Sequence, residues 1–166
     1  SALRERLPVT AQAIRNGLAM VELPGRFQIV PGQPALVLDV AHNPHAAAAL
    51  AENLDAMGFY PRTQAVFGAM ADKDVVPMLA RVAPLVDRWY FCDLPIARAA
   101  KSQDLSQILE SLGFEPGSDR GHQVFASPEL AYEAALKTAG EDDRIMVFGS
   151  FYTVAGVMSY KNAKAH

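Results

Sequence analysis

Short apolar runs alternate with segments of helical spacing along most of this chain, and that alternation restricts the fold more than any other feature. Residues 35–40, Thr63–Phe67, Arg88–Cys92, residues 123–125 and Arg144–Phe148 read as strands. Between them, Ala46, Leu50, Leu54 and Met57 share one helical face, as do Val75, Leu79, Val82 and Val86. Leu105, Ile108, Leu109 and Leu112 define a further helix with Ser102 as its expected cap. Ser127-Pro128-Glu129 opens an alanine-rich helix, and Phe151, Val154 and Met158 mark a last one. Strands bridged by helices of this length pair in parallel and are covered on both faces. Ahead of them, residues 27–30 and the Pro31-Gly32 turn predict an antiparallel hairpin with the 35–40 strand. Earlier still, Thr10 can cap a helix carrying Ile14, Leu18 and Val21, which Pro24-Gly25 ends.

In such a sheet the chemistry is expected where strands end and helices begin. Asp39-Val40-Ala41-His42-Asn43-Pro44-His45 is a turn of that kind, with Asn43 suited to the N-cap and Pro44 to the first helical position. Asp39 and His42 would face the crevice at the carboxyl end of the sheet; equally, Asp39 could brace the turn and His42 be an exposed loop residue. Gly68-Ala69-Met70-Ala71-Asp72-Lys73-Asp74 places a lysine between two acids after the next strand. Gly149-Ser150-Phe151 puts a hydroxyl at a helix start, where it could bind an oxyanion or act as the N-cap. Arg26 is a cation in the turn after Leu23-Pro24-Gly25.

Other chemistries find less support. Neither GxGxxG after a strand nor GxxxxGK[ST] occurs, so a dinucleotide or P-loop enzyme is not expected in this segment alone. Ser150 lacks the second glycine of a GxSxG elbow, so a Ser/His/Asp hydrolase finds weak support. His42 and His45 have Pro44 between them and no evident third ligand, so no metal site is expected. The single cysteine, Cys92, precludes an internal disulfide and a CxxC zinc framework, and points to a reducing cytoplasm. Net charge is −3 without a basic stripe, which argues against nucleic acid, and no long apolar run argues for a membrane. At 166 residues the chain suits one domain, 1–166. It begins Ser1-Ala2 rather than with methionine, so residues 1–22 read as a tag remnant, linker and helix leading into a piece of a longer protein.

Four motifs recur in a known order: Leu23-Pro24-Gly25-Arg26-Phe27, Asp39-Val40-Ala41-His42-Asn43-Pro44-His45-Ala46, Gly68-Ala69-Met70-Ala71-Asp72-Lys73-Asp74 and Val147-Phe148-Gly149-Ser150-Phe151. In that order and spacing the chain resembles the C-terminal domain of bacterial folylpolyglutamate synthase/dihydrofolate synthase, within the Mur ligase superfamily. The resemblance implies a Rossmann-like α/β domain and an ATP-dependent amide ligase. Such an enzyme joins L-glutamate to dihydropteroate or to folates through an acyl phosphate. It further implies a separate N-terminal domain carrying the phosphate loop and the Mg2+ ligands, so the 166-residue chain alone should be inactive. By motif, Arg26 and Asp39 correspond to residues at the ATP phosphates and ribose. His42, Asn43, Ser150 and Lys73 correspond to residues that position glutamate and nucleotide, and Arg98 is a further cation for glutamate carboxylates or interdomain contacts. The expected partners are ATP, L-glutamate, a pterin substrate and the chain's own N-terminal domain, in a cytoplasmic monomer. A Mur-type ligase with another acceptor, and a non-catalytic nucleotide-binding module, are the alternatives.

Overall fold

The computed structural model describes residues 27–114 and 122–164. The helix expected after Thr10, the leading segment 1–22 and Arg26 lie outside the described residues. Six strands form one sheet: β1 (Gln28–Val30), β2 (Ala35–Asp39), β3 (Thr63–Phe67), β4 (Arg88–Cys92), β5 (His122–Phe125) and β6 (Arg144–Phe148). Five α-helices connect or follow them: α1 (Pro44–Ala56), α2 (Val75–Val82), α3 (Ser102–Ser111), α4 (Pro128–Thr138) and α5 (Phe151–Lys164). The spatial order is β1-β2-β6-β3-β4-β5. Only β1 runs antiparallel to its neighbour, pairing Ile29 with Val37; the other neighbours are parallel. The expected mostly parallel α/β sheet with a leading hairpin is therefore the observed one.

Alternation along each strand sorts the core into two halves. Val37, Ala65, Phe67, Trp89, Phe91, Met146 and Phe148 pack with Leu50, Leu54, Met78, Leu79, Leu105 and Leu109, so α1, α2 and α3 cover one face. Leu36, Leu38, Val66, Tyr90, Ile145 and Val147 pack with Ala131, Tyr132, Val154 and Val157, so α4 and α5 cover the other. Burial on both faces explains why the central strands are continuously apolar rather than alternating.

Two helix ends depart from expectation. The 75–86 segment is α-helical only to Val82 and tightens into a 3-10 turn at Ala83–Leu85. Pro84 supplies the cause, since it has no N–H to continue the ladder. Ser102 is the first residue of α3 rather than its cap; Lys101 occupies the cap position, and no side chain caps there. Instead the Ser102 N–H donates to Asp93 Oδ1 at 2.7 Å, so an acid from the preceding loop does the work of a cap.

The α4 start follows the rule. Ser127 Oγ accepts from the Leu130 N–H at 3.2 Å, and Pro128 occupies the first turn. Ser127→Ala is expected to cost about 1 kcal/mol, read as a shifted denaturation midpoint at unchanged m-value.

At the amino-terminal edge of the sheet, Arg144 is buried. Its Nε donates to Thr63 Oγ1 at 2.8 Å and its Nη1 to the Leu54 carbonyl at 2.8 Å, while the guanidinium lies over the Tyr60 ring at 4.8 Å. Burial lowers its pKa, but an arginine keeps its charge. It ties the carboxyl end of α1 to the central strand and so fixes the axis on which the opposite end of α1 is presented.

Candidate functional site

The order of strands brings the motif residues together. In register, Asp39 pairs with Phe148 and Phe148 with Phe67, so β2, β6 and β3 end side by side. The turns that follow them carry Val40–Asn43, Gly149-Ser150 and 68–74 respectively. From β2 and β3 the chain continues into helices on one face, and from β6 into a helix on the other. Neighbouring strands that feed opposite faces leave a crevice outside their carboxyl ends, the usual ligand position of an open α/β sheet.

Asp39 is only 7% exposed. Its Oδ1 accepts from the Ala41 N–H at 2.8 Å and its Oδ2 from the Phe27 N–H at 3.1 Å. The carboxylate thus holds the turn leaving β2 and the turn entering β1 at once. Phe27 has φ of +37°, a left-handed conformation unusual for a non-glycine residue, and the charge-assisted bond helps to hold it there. His42 is exposed, and its Nδ1 lies 3.0 Å from the Val40 carbonyl. Since a carbonyl only accepts, the proton sits on Nδ1, and Nε2 carries either a lone pair or, in the charged form, a second proton. Asn43 Oδ1 accepts from the Ala46 N–H at 2.8 Å as the N-cap of α1.

The β6 turn is built more tightly. Ser150 is 4% exposed and Thr153 wholly buried. Ser150 Oγ accepts from the Thr153 N–H at 3.1 Å, which makes it the N-cap of α5. Thr153 Oγ1 donates to the Gly68 carbonyl at 2.8 Å, and Ser150 Oγ lies 2.9 Å from Thr153 Oγ1. Thr153 has one hydroxyl hydrogen and spends it on Gly68, so Ser150 is the donor in the hydroxyl pair. A chain of hydrogen bonds therefore runs from the α5 start into the loop after β3.

That loop is held from its other side as well. The Ala71 N–H donates to the Arg98 carbonyl at 2.8 Å, and the Ala100 N–H to the Ala69 carbonyl at 2.8 Å. The loop carrying Lys73 is thereby sewn to the loop carrying Arg98. Lys73 is half-buried, Arg98 is exposed, and among the described residues neither forms an ion pair. Asp74 stands at the cap position of α2, but its side chain makes no capping bond.

The structure thus gathers Asp39, His42, Asn43, Lys73 and Ser150 along one edge, while Arg26 lies outside the described residues. Thr153 was not singled out by sequence reasoning: it stands three residues after the Ser150 cap, and its hydroxyl partner Gly68 is 85 residues away along the chain. Among the described residues no three of His, Cys, Asp or Glu gather as a metal site, and no helix is long and apolar enough to cross a membrane. A groove of about 400 Å3 lies at the opposite end of the sheet, lined in part by Leu36, Tyr132, Tyr160, Lys161 and Lys164. It touches none of the motif turns, and its lysines sit in the last turn of α5, where cations complement the helix dipole.

Residues 25–151 match the family model described as Mur ligase, glutamate ligase domain. The chain is 41% identical over 158 residues to the dihydrofolate synthase/folylpolyglutamate synthase of Escherichia coli (strain K12), covering 95% of this chain and 35% of that protein. Among solved structures it is similar to E. coli FolC in complex with DHPP and ADP, with a TM-score of 0.78 at 39% identity over 96% of this chain and 36% of the other. A bifunctional folylpolyglutamate synthase/dihydrofolate synthase with Mn, AMPPNP and L-glutamate bound gives a TM-score of 0.74 at 40% identity, over 94% and 36%. The chain spans about a third of the length of these relatives.

Proposed function

The chain belongs to the Mur ligase glutamate ligase domain family, and from that premise we propose that it is the glutamate-ligase domain of a longer, cytoplasmic, ATP-dependent amide ligase that adds L-glutamate to dihydropteroate or to folates. One observation carries the reading: the matched region, 25–151, contains every turn that meets at the carboxyl edge of the sheet, and its similarity to dihydrofolate synthase/folylpolyglutamate synthases spans 95% of the chain.

The geometry suits that chemistry. ATP supplies the phosphate that activates the pterin-side carboxylate, and Mg2+ would accompany it on ligands outside this domain. The glutamate amine then attacks the acyl carbon; the C–N bond forms, the C–O bond to phosphate breaks, and the amine releases a proton. No side chain need form a covalent bond, so the protein's contribution is to position reactants and stabilise charge. The start of α5 offers backbone N–H groups and a positive dipole end toward an anionic carboxylate or phosphate. Lys73 provides a half-buried cation on the neighbouring turn, and His42 an exposed imidazole on the β2 turn. Asn43 fixes the first turn of α1 behind His42. Arg26 is assigned to the ATP phosphates, where a guanidinium makes paired bonds. Asp39 is assigned to the nucleotide side, where a carboxylate can accept from sugar hydroxyls.

The test is ADP release by the full-length protein that carries this domain, with ATP, Mg2+ and L-glutamate, with and without dihydropteroate or tetrahydrofolate. Turnover is expected to require both glutamate and a pterin. Glutamate-dependent turnover indifferent to either pterin would sink the folate assignment and leave a Mur-type ligase with another acceptor.

A further inference from the structure

Given the ligase reading above, we infer that Thr153 is the positioning residue of the glutamate subsite. Its single hydroxyl holds the Ser150 turn and the Lys73 loop in one fixed relation. The two turns leave different strands, and at their contact Gly68, Ala69, Gly149 and Ser150 are all buried, so their relation is set by what bonds them there. They meet here at van der Waals limits. A Cβ added at Gly149 would lie 2.2 Å from the Gly68 carbonyl oxygen, so the two turns touch backbone to backbone. Among the described residues, the side-chain hydrogen bond across that contact runs from Thr153 Oγ1 to the Gly68 carbonyl, at 2.8 Å.

The same oxygen has a second task. It accepts the Ser150 hydroxyl hydrogen, and so it fixes the Ser150 rotor as well as the loop. The Thr153 N–H completes the ring by donating to Ser150 Oγ at 3.1 Å. Thr153 is wholly buried, so water cannot replace its hydroxyl if it is lost. Ser150 would then keep one partner of two, and the Gly68 carbonyl would lose its side-chain donor. Asp39, the residue assigned to the nucleotide side, bonds the Phe27 and Ala41 amides and takes no part in this ring. The effect should therefore fall on the amino acid more than on the nucleotide.

Thr153→Val keeps the shape and removes the hydroxyl, and Thr153→Ser keeps the hydroxyl. In the full-length protein, Thr153→Val is expected to raise the glutamate KM about 3- to 10-fold, the size of one lost hydrogen bond. The ATP KM and kcat should stay within about twofold, and Thr153→Ser should restore the glutamate KM. Amide hydrogen exchange at Ala69 to Ala71 should quicken in Thr153→Val and not in Thr153→Ser. Equal changes in the glutamate and ATP KM values, or an unchanged glutamate KM, would overturn the inference. A wild-type protein whose ADP release ignores glutamate would instead overturn the ligase reading. Exchange then decides the coupling by itself, and unchanged exchange in Thr153→Val would overturn that too.

Discussion

Gly149→Ala is expected to destabilise the domain by about 4 kcal/mol, the sum of backbone strain and overpacking. Two independent features of the site produce that figure. Gly149 has φ of +116°, a conformation that side-chain-bearing residues rarely adopt. Its missing Cβ is also the only reason the Gly68 carbonyl can approach, since an added carbon would stand 2.2 Å from that oxygen and 2.9 Å from the Phe67 ring. Neither neighbour can yield cheaply. A Cβ on Gly68 would itself meet Cys92 Sγ at 2.8 Å, so the β3 turn has no room to retreat toward β4. Phe67 is fully buried among Trp89, Phe91 and Phe148. A loss of this size is a large share of the stability of an ordinary domain. Equilibrium unfolding in urea would show it as a lowered midpoint with an unchanged slope. A midpoint within about 0.5 kcal/mol of wild type would mean that the two turns are not held in contact.

The features that were legible in the sequence are those fixed by neighbours along the chain. Thr63–Phe67, Arg88–Cys92 and Arg144–Phe148 are bounded as the apolar runs suggest, because strands buried on both faces are mostly apolar, and the one buried side-chain amide inside them, Gln64, accepts from the Tyr90 hydroxyl. The edge strand is less sharply marked. β5 begins at His122, one residue before the expected start, because a strand with a single neighbour tolerates polar side chains. Asn43-Pro44 and Ser127-Pro128 announce their helices through a cap and a proline that act within three residues. What was hidden depends on approach in space. The Thr153 to Gly68 bond joins residues 85 apart, and the Asp93 cap of α3 comes from nine residues upstream. Likewise, the alternatives left open for Asp39 and Ser150 are not resolved by their immediate neighbours. In the structure both side chains brace a turn, through the Phe27 and Ala41 amides in one case and the Thr153 amide in the other. Bracing and binding are compatible there, because the braced turns are the ones that line the crevice.

Asp39→Ala is the substitution expected to cost the most activity: about 100-fold in the glutamate-dependent ADP release of the full-length protein, the scale of misplacing reacting groups by an ångström. Removing the carboxylate frees two backbone amides at once, one buried and one part-buried. The Ala41 N–H loses an acceptor at 2.8 Å and the Phe27 N–H one at 3.1 Å. Bonds to a charged group contribute about 1.5–3 kcal/mol each, so a stability loss of about 3 kcal/mol should accompany the loss of turnover. Among the described residues, the turn that presents His42 would then keep the Asn43 cap, the Ala47 N–H bond to the Asn43 carbonyl and the Val40 carbonyl contact. Asp39→Asn separates the two consequences. Its amide keeps one acceptor oxygen and offers two donors, so it can hold one of the two backbone amides but not both. The asparagine variant should therefore recover part of the stability. If Asp39 only braces the turn, activity should recover in proportion; if it also accepts from the nucleotide sugar, the ATP KM should remain raised after stability has returned. Turnover within threefold of wild type in a folded Asp39→Ala protein would remove Asp39 from the site in either role.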